Sequence, residues 1–152
     1  MKRPVTPPSE ALGHLLHRSF QVADAIFQRC TSGTIEGVTF RQLALLTALS
    51  RKDRLSQAAL TKATGIDRST MAQMTRKLMA QGLVKRRRAR RDARAYELRL
   101  TAEGRAVLRQ AQPALAEVDR ELLECVPKAH RGIFRRALEA IAANPAGDLG
   151  KR

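Results

Sequence analysis

The chain has 152 residues, a length that suits a single domain, and 43% of them are apolar, which is enough to bury a core. Only 3% are aromatic, so the core must consist mainly of Leu, Ala, Ile, Val and Met, a composition that favours helices. The formal net charge of +15 points to a polyanionic partner, with nucleic acid as the first candidate and an anionic membrane surface as the second.

The sequence predicts neither a targeting signal nor a metal site. No run of about 18 apolar residues occurs, and residues 1–10, with three prolines, lack the apolar region of a signal peptide. We therefore expect a cytoplasmic protein that lies at the nucleoid when bound to DNA. Cys30 and Cys125 are too few for a zinc pattern or a disulfide framework, and we interpret them as structural thiols. We expect no cofactor and no metal, because His14 and His17 share a helix face without a third ligand.

The first half of the chain predicts two helices. Apolar residues recur at three- and four-residue steps from Leu12 to Cys30, which is the period of one helix face, and residues 31–37 then form a loop. Thr39 and Gln42 form a capping-box pattern at the start of a second helix. The buried face of that helix is predicted to hold Leu43, Leu46 and Leu49.

Residues 56–82 predict a helix-turn-helix. Ser56 can cap a short third helix whose inward residues are Ala59, Leu60 and Ala63, and a turn at residues 64–67 leads into a fourth helix. The inward face of the fourth helix is predicted to hold Met71, Met74 and Leu78, and its outward residues to be Arg68, Ser69, Thr70, Gln73, Arg76 and Lys77. Such a helix can enter the DNA major groove, whereas the alternative is an ordinary helical hairpin with a solvated face.

A basic β-wing is predicted next. Residues 83–88 and 95–100 read as short strands that flank a charged tip with Arg90, Arg91, Asp92 and Arg94. The basic residues of this region are Lys85, Arg86, Arg87, Arg88, Arg90, Arg91, Arg94 and Arg99, opposed only by Asp92 and Glu97. Such density repels itself unless an anion is near, and DNA phosphates supply one. The alternative is a solvated charge run.

Two further helices are predicted at the C-terminal end. Thr101 caps a long fifth helix at residues 101–125, which Pro113 should kink, and a sixth helix begins near Pro127. The apolar stripe of the fifth helix is Val107, Ala111, Leu115, Val118, Leu122 and Cys125; that of the sixth is Ile133, Phe134, Ala137, Leu138 and Ile141. Together with the first helix, these stripes exceed what one small core can cover. We therefore expect a homodimer, with a self-contained six-helix monomer as the alternative.

Several ordered motifs carry a family resemblance. They are residues 55–60 (LSQAAL), 65–70 (GIDRST), 82–84 (GLV), 92–94 (DAR) and 98–101 (LRLT). Over residues 38–111 the chain resembles the MarR family of winged helix-turn-helix transcriptional regulators. The predicted fold is therefore mainly α with a small β-wing, in one domain at residues 1–152. Within it, residues 10–31 and 101–143 dimerise, residues 38–100 bind DNA, and residues 1–9 and 144–152 are flexible tails.

The resemblance implies roles for individual residues. Arg94 would enter the minor groove, and Asp92 would orient the wing by ion pairing. Where many members carry Thr-Arg on the recognition helix, this chain has Ala72 and Gln73, so base readout would move to Gln73, which suits adenine, and to Arg68 or Arg76. The predicted DNA contacts are Ser56, Arg68, Ser69, Thr70, Gln73, Arg76, Lys77, Arg88, Arg90, Arg91, Asp92 and Arg94.

The resemblance also implies a cleft for a small effector between the dimerisation helices and the DNA-binding lobe. Aromatic acids, phenols or their acyl thioesters would bind there. The residues predicted to line the cleft are His14, His17, Arg18, Phe20 and Phe40; packed or solvated histidines are the alternative.

The sequence therefore predicts a transcriptional repressor that a small ligand releases from a pseudo-palindromic operator. Two alternatives stay open: a regulator that senses oxidants through Cys30 or Cys125, and a sequence-indifferent architectural DNA-binding protein. An enzyme is not expected, because the sequence has no Gly-rich phosphate loop, no Ser elbow and no clustered carboxylates.

Overall fold

The computed structural model describes residues 11–52, 54–88 and 96–143, which form six α-helices and one two-stranded sheet. The elements are α1 (Leu12–Thr31), α2 (Phe40–Arg51), α3 (Gln57–Thr64), α4 (Arg68–Ala80), β1 (Val84–Arg88), β2 (Tyr96–Leu100), α5 (Ala102–Glu124) and α6 (Arg131–Ala142). The predicted fold class, a mainly helical winged helix-turn-helix, is confirmed. The predicted flexible tails at residues 1–9 and 144–152 lie outside the described residues.

Local hydrogen bonds define where the helices begin. At α2 the Gln42 backbone N–H donates to the Thr39 hydroxyl (3.2 Å), and the Thr39 N–H donates to the Gln42 side chain (2.9 Å), so the capping box is confirmed. The Ser56 hydroxyl accepts the Ala59 N–H at 3.1 Å and caps α3. In the turn between α3 and α4, Gly65 has a φ of +70°, a conformation that a side chain disfavours.

The apolar faces of the helices meet in one core beneath the helix-turn-helix. On α4 the predicted inward residues Met71 and Leu78 are fully buried and Met74 is 8% exposed. The other side chains at 0% exposure are Phe27, Leu45, Leu46 and Leu60, together with the small Ala111. Because this face is buried, the opposite face of α4 is exposed and free to contact a partner.

The wing is an antiparallel pair whose register runs from Val84↔Leu100 to Arg88↔Tyr96. Leu55 adds a bridge on the other edge of β2: its N–H donates to the Leu98 carbonyl at 3.2 Å and its carbonyl accepts the Leu98 N–H at 2.8 Å. The segment that leads into α3 is therefore joined to the wing.

The first turn of α5 lies directly against the start of β1. A Cβ atom at Gly104 would lie 2.2 Å from the Leu83 carbonyl oxygen, so only glycine permits this approach. The Thr101 hydroxyl contacts the Gly82 carbonyl at 2.7 Å and accepts the Gly104 N–H at 3.0 Å. The wing and α5 are thus held together by a close approach of their backbones and by the hydrogen bonds of the Thr101 side chain.

Several details of the predicted faces were wrong. Ala63, predicted inward, is exposed. The short α3 buries one residue fully, Leu60. Cys125 is exposed because it follows the last helical residue of α5, and its thiol lies 3.6 Å from the Glu121 carbonyl oxygen.

The two C-terminal helices also differ from the prediction. The sixth helix starts at Arg131, after a short 3-10 turn at residues 128–130. The buried positions of α5 are Gly104, Leu108, Ala111, Ala114 and Val118, whereas Val107, Leu115 and Leu122 are only partly buried.

Two apolar surfaces remain open in the single chain. On α6, Ile133 is 59% exposed and Ile141 is 52% exposed. At the start of α1, Leu12 is 79% exposed, followed by Leu15 and Leu16. Within the described residues, no helix has both the length and the apolarity needed to cross a membrane.

Candidate nucleic-acid interface

The outer face of α4 presents polar side chains in one row. Ser69, Gln73 and Arg76 are exposed and three or four residues apart, on the side opposite Met71 and Leu78. Their side chains give this face both hydrogen-bond donors and acceptors for base edges. These three predicted contacts are therefore brought together by the helix itself.

The other predicted contacts on the helix-turn-helix lie around this row. Arg68 is exposed in the first turn of α4, Thr70 is half-buried, and Ser56 is exposed at the start of α3. Lys77 instead lines a cavity of about 380 Å³ with residues of the loop between α1 and α2. Lys77 therefore lies beside the loop between α1 and α2.

The start of α4 carries a stabilised negative charge. The Asp67 carboxylate accepts the Thr70 backbone N–H at 2.9 Å. Hydrogen bonds from the Thr70 side chain and backbone hold the pKa of the Asp67 carboxyl below its ordinary value, since they favour the ionised form. A carboxylate at this end of a helix also complements the helix dipole.

The wing carries further cations beyond those predicted to contact DNA. A cavity of about 190 Å³ on the wing is lined by Arg54, Arg87, Arg88, Glu97 and Arg99. Among the predicted contacts that the structure describes, only Arg88 belongs to this group. Arg54 reaches it because Leu55 is bridged to Leu98, which the sequence pattern around residue 55 does not signal.

The wing tip lies outside the described residues. Arg90, Arg91, Asp92 and Arg94 fall within residues 89–95, and their roles stay predictions.

A cleft of about 600 Å³ separates the helix-turn-helix from the long helices. Its lining comes from α1, α2, the end of α3 and α5, namely Phe20, Phe40, Arg41, Leu43, Ala44, Thr47, Ala48, Arg51, Ala63, Thr64, Ile66 and Leu115. The Phe20 and Phe40 rings are 6.0 Å apart, and the Arg41 guanidinium lies 5.3 Å from the Phe20 ring. The cleft thus combines aromatic walls with the cations of Arg41 and Arg51.

The structure brings together only part of the predicted ligand set. Phe20 and Phe40 line the cleft, whereas His14, His17 and Arg18 are exposed on α1 and outside its lining. Arg41 and Arg51 were missed, because a basic residue on a surface helix gives no sign of the cleft it faces. In the part of the chain that the structure describes, no three His, Cys, Asp or Glu side chains are grouped as metal ligands.

Comparison with known proteins identifies the family. A MarR-family sequence profile matches residues 36–95, which include the helix-turn-helix and the first strand of the wing. The transcriptional regulator HosA of Escherichia coli is 34% identical over 110 residues, or 72% of this chain and 78% of HosA. The chain belongs to the MarR family.

Solved MarR-family structures share the architecture. BpsR of Bordetella bronchiseptica, whose DNA binding is regulated by 6-hydroxynicotinic acid, superposes with a TM-score of 0.80 at 27% identity, over 93% of this chain and 99% of BpsR. The repressor CouR, solved on a 23-mer DNA duplex, gives 0.75 at 26% identity, over 92% of this chain and 99% of CouR. This MarR-family chain is a DNA-binding transcriptional regulator and not an enzyme.

Proposed function

We propose that this regulator is a homodimeric repressor that binds a pseudo-palindromic operator and leaves it when an aromatic carboxylate fills the cleft. The observation that carries the proposal is the cleft itself. It places two phenylalanine rings and two arginines between the helix-turn-helix and the long helices. An occupant would therefore contact both parts of the molecule at once.

The DNA-binding half of the proposal rests on the α4 face and the wing. Ser69, Gln73 and Arg76 supply groups that read base edges, while the wing cations suit phosphates. CouR, which has the same architecture, is a repressor solved on a DNA duplex. By analogy, α4 enters the major groove and the wing lies along the backbone.

The dimer is proposed from the open apolar faces of α1 and α6. Exposed Leu12, Ile133 and Ile141 would cost stability in water, and a second copy that packs on them removes that cost. Two copies would bind a palindromic site, because a two-fold protein matches a two-fold DNA sequence.

The effector class follows from the cleft chemistry. Phe20 and Phe40 suit an aromatic ring, and Arg41 and Arg51 suit a carboxylate, which guanidinium groups bind strongly. The effector of BpsR, 6-hydroxynicotinic acid, is an aromatic carboxylate. Release follows if the occupied cleft favours an arrangement of the two lobes that no longer fits the operator.

The effector is tested with benzoate-type acids and their neutral amides. The acids should raise the melting temperature and release operator DNA, because a ligand of the folded state stabilises it, and the amides should do neither. Arg51→Gln should abolish the response to acid, while Arg109→Gln, on exposed α5 surface outside the cleft lining, should keep it. An equal response of parent and Arg51→Gln would contradict the assigned effector site.

The choice between operator binding and architectural DNA binding is tested by competition. Excess bulk DNA should leave the protein on a duplex selected from a random pool, because specific sites are bound about 10³–10⁷ times more tightly. Complete displacement by bulk DNA would instead support the architectural alternative.

A further inference from the structure

Arg86 and Tyr96 form a stacked pair on the surface of the wing. The guanidinium carbon of Arg86 lies 3.6 Å from the centre of the Tyr96 ring, well within the range of about 6 Å for a cation–π interaction. Arg86 is exposed and Tyr96 is 41% exposed. Core packing therefore does not account for the pair.

The register of the sheet creates this contact. Arg86 lies opposite Leu98, and Tyr96 is two residues from Leu98 on the same face, so the stacked residues are diagonal neighbours. The same face carries Val84 and Leu100, which are buried in the core. The pair therefore lies between the core of the lobe and the loop of the wing.

The stack restrains one cation within a crowded basic strand. Lys85, Arg87 and Arg88 neighbour Arg86 in β1, and like charges at this spacing repel one another. A free arginine also samples many rotamers, which costs entropy when it binds. A ring against the guanidinium face lowers that freedom and leaves the N–H donors uncovered, because they project in the guanidinium plane.

We propose that Tyr96 is a positioning residue for DNA binding. By stacking on Arg86 it holds that guanidinium, before DNA arrives, in an orientation from which its N–H groups bind a backbone phosphate. The inference rests on the DNA-binding role proposed above, and it adds Arg86 as a phosphate contact with Tyr96 acting through it.

The test measures affinity for a labelled duplex, selected from a random pool with the parent protein, at several salt concentrations. Arg86→Ala should reduce the slope of log affinity against log salt by about 0.9 for each bound wing, since one phosphate contact is lost. Tyr96→Leu keeps an apolar side chain, smaller than the ring and without a π face, and it should weaken binding about two- to fivefold per wing. Tyr96→Phe keeps the ring and should bind like the parent.

A double-mutant cycle separates positioning from a structural effect of the ring. Tyr96→Leu should cost almost nothing in the Arg86→Ala background, because the cation it positions is gone. The control cycle uses Arg87→Ala, which removes the same charge from the other face of the strand; there Tyr96→Leu should cost its full amount.

The proposal is overturned if Tyr96→Leu weakens binding equally with and without Arg86, or if Arg86→Ala leaves the salt slope unchanged. Circular dichroism of each variant shows that the fold is intact. A parent protein that bulk DNA strips from the duplex would instead contradict the proposed operator binding, so the two failures are distinguishable.

Discussion

Gln73 is the residue from which we expect the clearest change in base preference. It lies exposed in the middle of the outer face of α4, and an amide side chain can bind adenine with two hydrogen bonds. Gln73→Ala should alter the selected operator sequence, at about 1–3 kcal/mol for the lost contact. Selection from a random pool with both proteins measures this, and uniform weakening across all sequences would mark Gln73 as a phosphate contact.

The buried hydroxyl of Thr75 is expected to lower the free energy of unfolding. Its side chain is 1% exposed, and its hydroxyl has no hydrogen-bond partner among the described residues. Thr75→Val removes the unpaired hydroxyl at nearly constant shape and should raise the free energy of unfolding by about 1 kcal/mol. Urea denaturation measures the change.

Thr31 provides the matched control for this substitution. It is also buried, but its hydroxyl donates to the Phe27 carbonyl at 2.8 Å. Thr31→Val should therefore destabilise the protein. A gain in stability for Thr31→Val, or a loss for Thr75→Val, would contradict the hydrogen-bond assignment.

At the scale of the element, α4 depends on its Asp67 cap in a pH-dependent way. Because folding lowers the pKa of Asp67, its ionised form stabilises the protein above its unfolded pKa, and that contribution is lost as the pH falls through the folded pKa. Asp67→Asn keeps a capping side chain without the charge. The parent should exceed Asp67→Asn in melting temperature at pH 7, and the difference should shrink below about pH 4.

The opposite pH trend would show that the charge at residue 67 does not stabilise the helix. Ser56→Ala serves as the control, because this cap of α3 carries no titrating group and its effect should not change over the same pH range.

At the scale of the whole molecule, the proposed dimer predicts the stoichiometry and the salt dependence of binding. Two chains should occupy each operator, with half-sites about 34–36 Å apart. If the dimer neutralises on the order of 6–10 phosphates, affinity should fall about 10³–10⁵-fold between 50 and 200 mM salt. Titration of defined duplexes measures both, and one chain per site would contradict the dimer.

Ile141→Asp tests the interface directly. This residue is 52% exposed in the single chain, so the substitution should preserve the fold while placing a carboxylate in the proposed interface. Ultracentrifugation should show a monomer with weakened operator binding. Arg136→Asp introduces the same carboxylate at an exposed position of α6 outside its apolar stripe and should leave the dimer intact.

The sequence by itself determined the elements and the class of partner. Caps such as Thr39 with Gln42, and the three- and four-residue apolar steps of α4, act over one helical turn, so local sequence contains the information. The excess of Lys and Arg over Asp and Glu likewise follows from composition and indicates a polyanionic partner without reference to the fold.

The tertiary structure decided which distant side chains meet. Arg54 reaches the wing only because Leu55 pairs with Leu98, and Tyr96 reaches Arg86 only through the strand register. The cleft needs α1, α2, α3 and α5 together, so the presence of Arg41 and Arg51 in its lining could not be predicted from their neighbours in the chain. Such contacts depend on how whole elements pack, and local hydrogen bonds and helical periodicity carry no information about that packing.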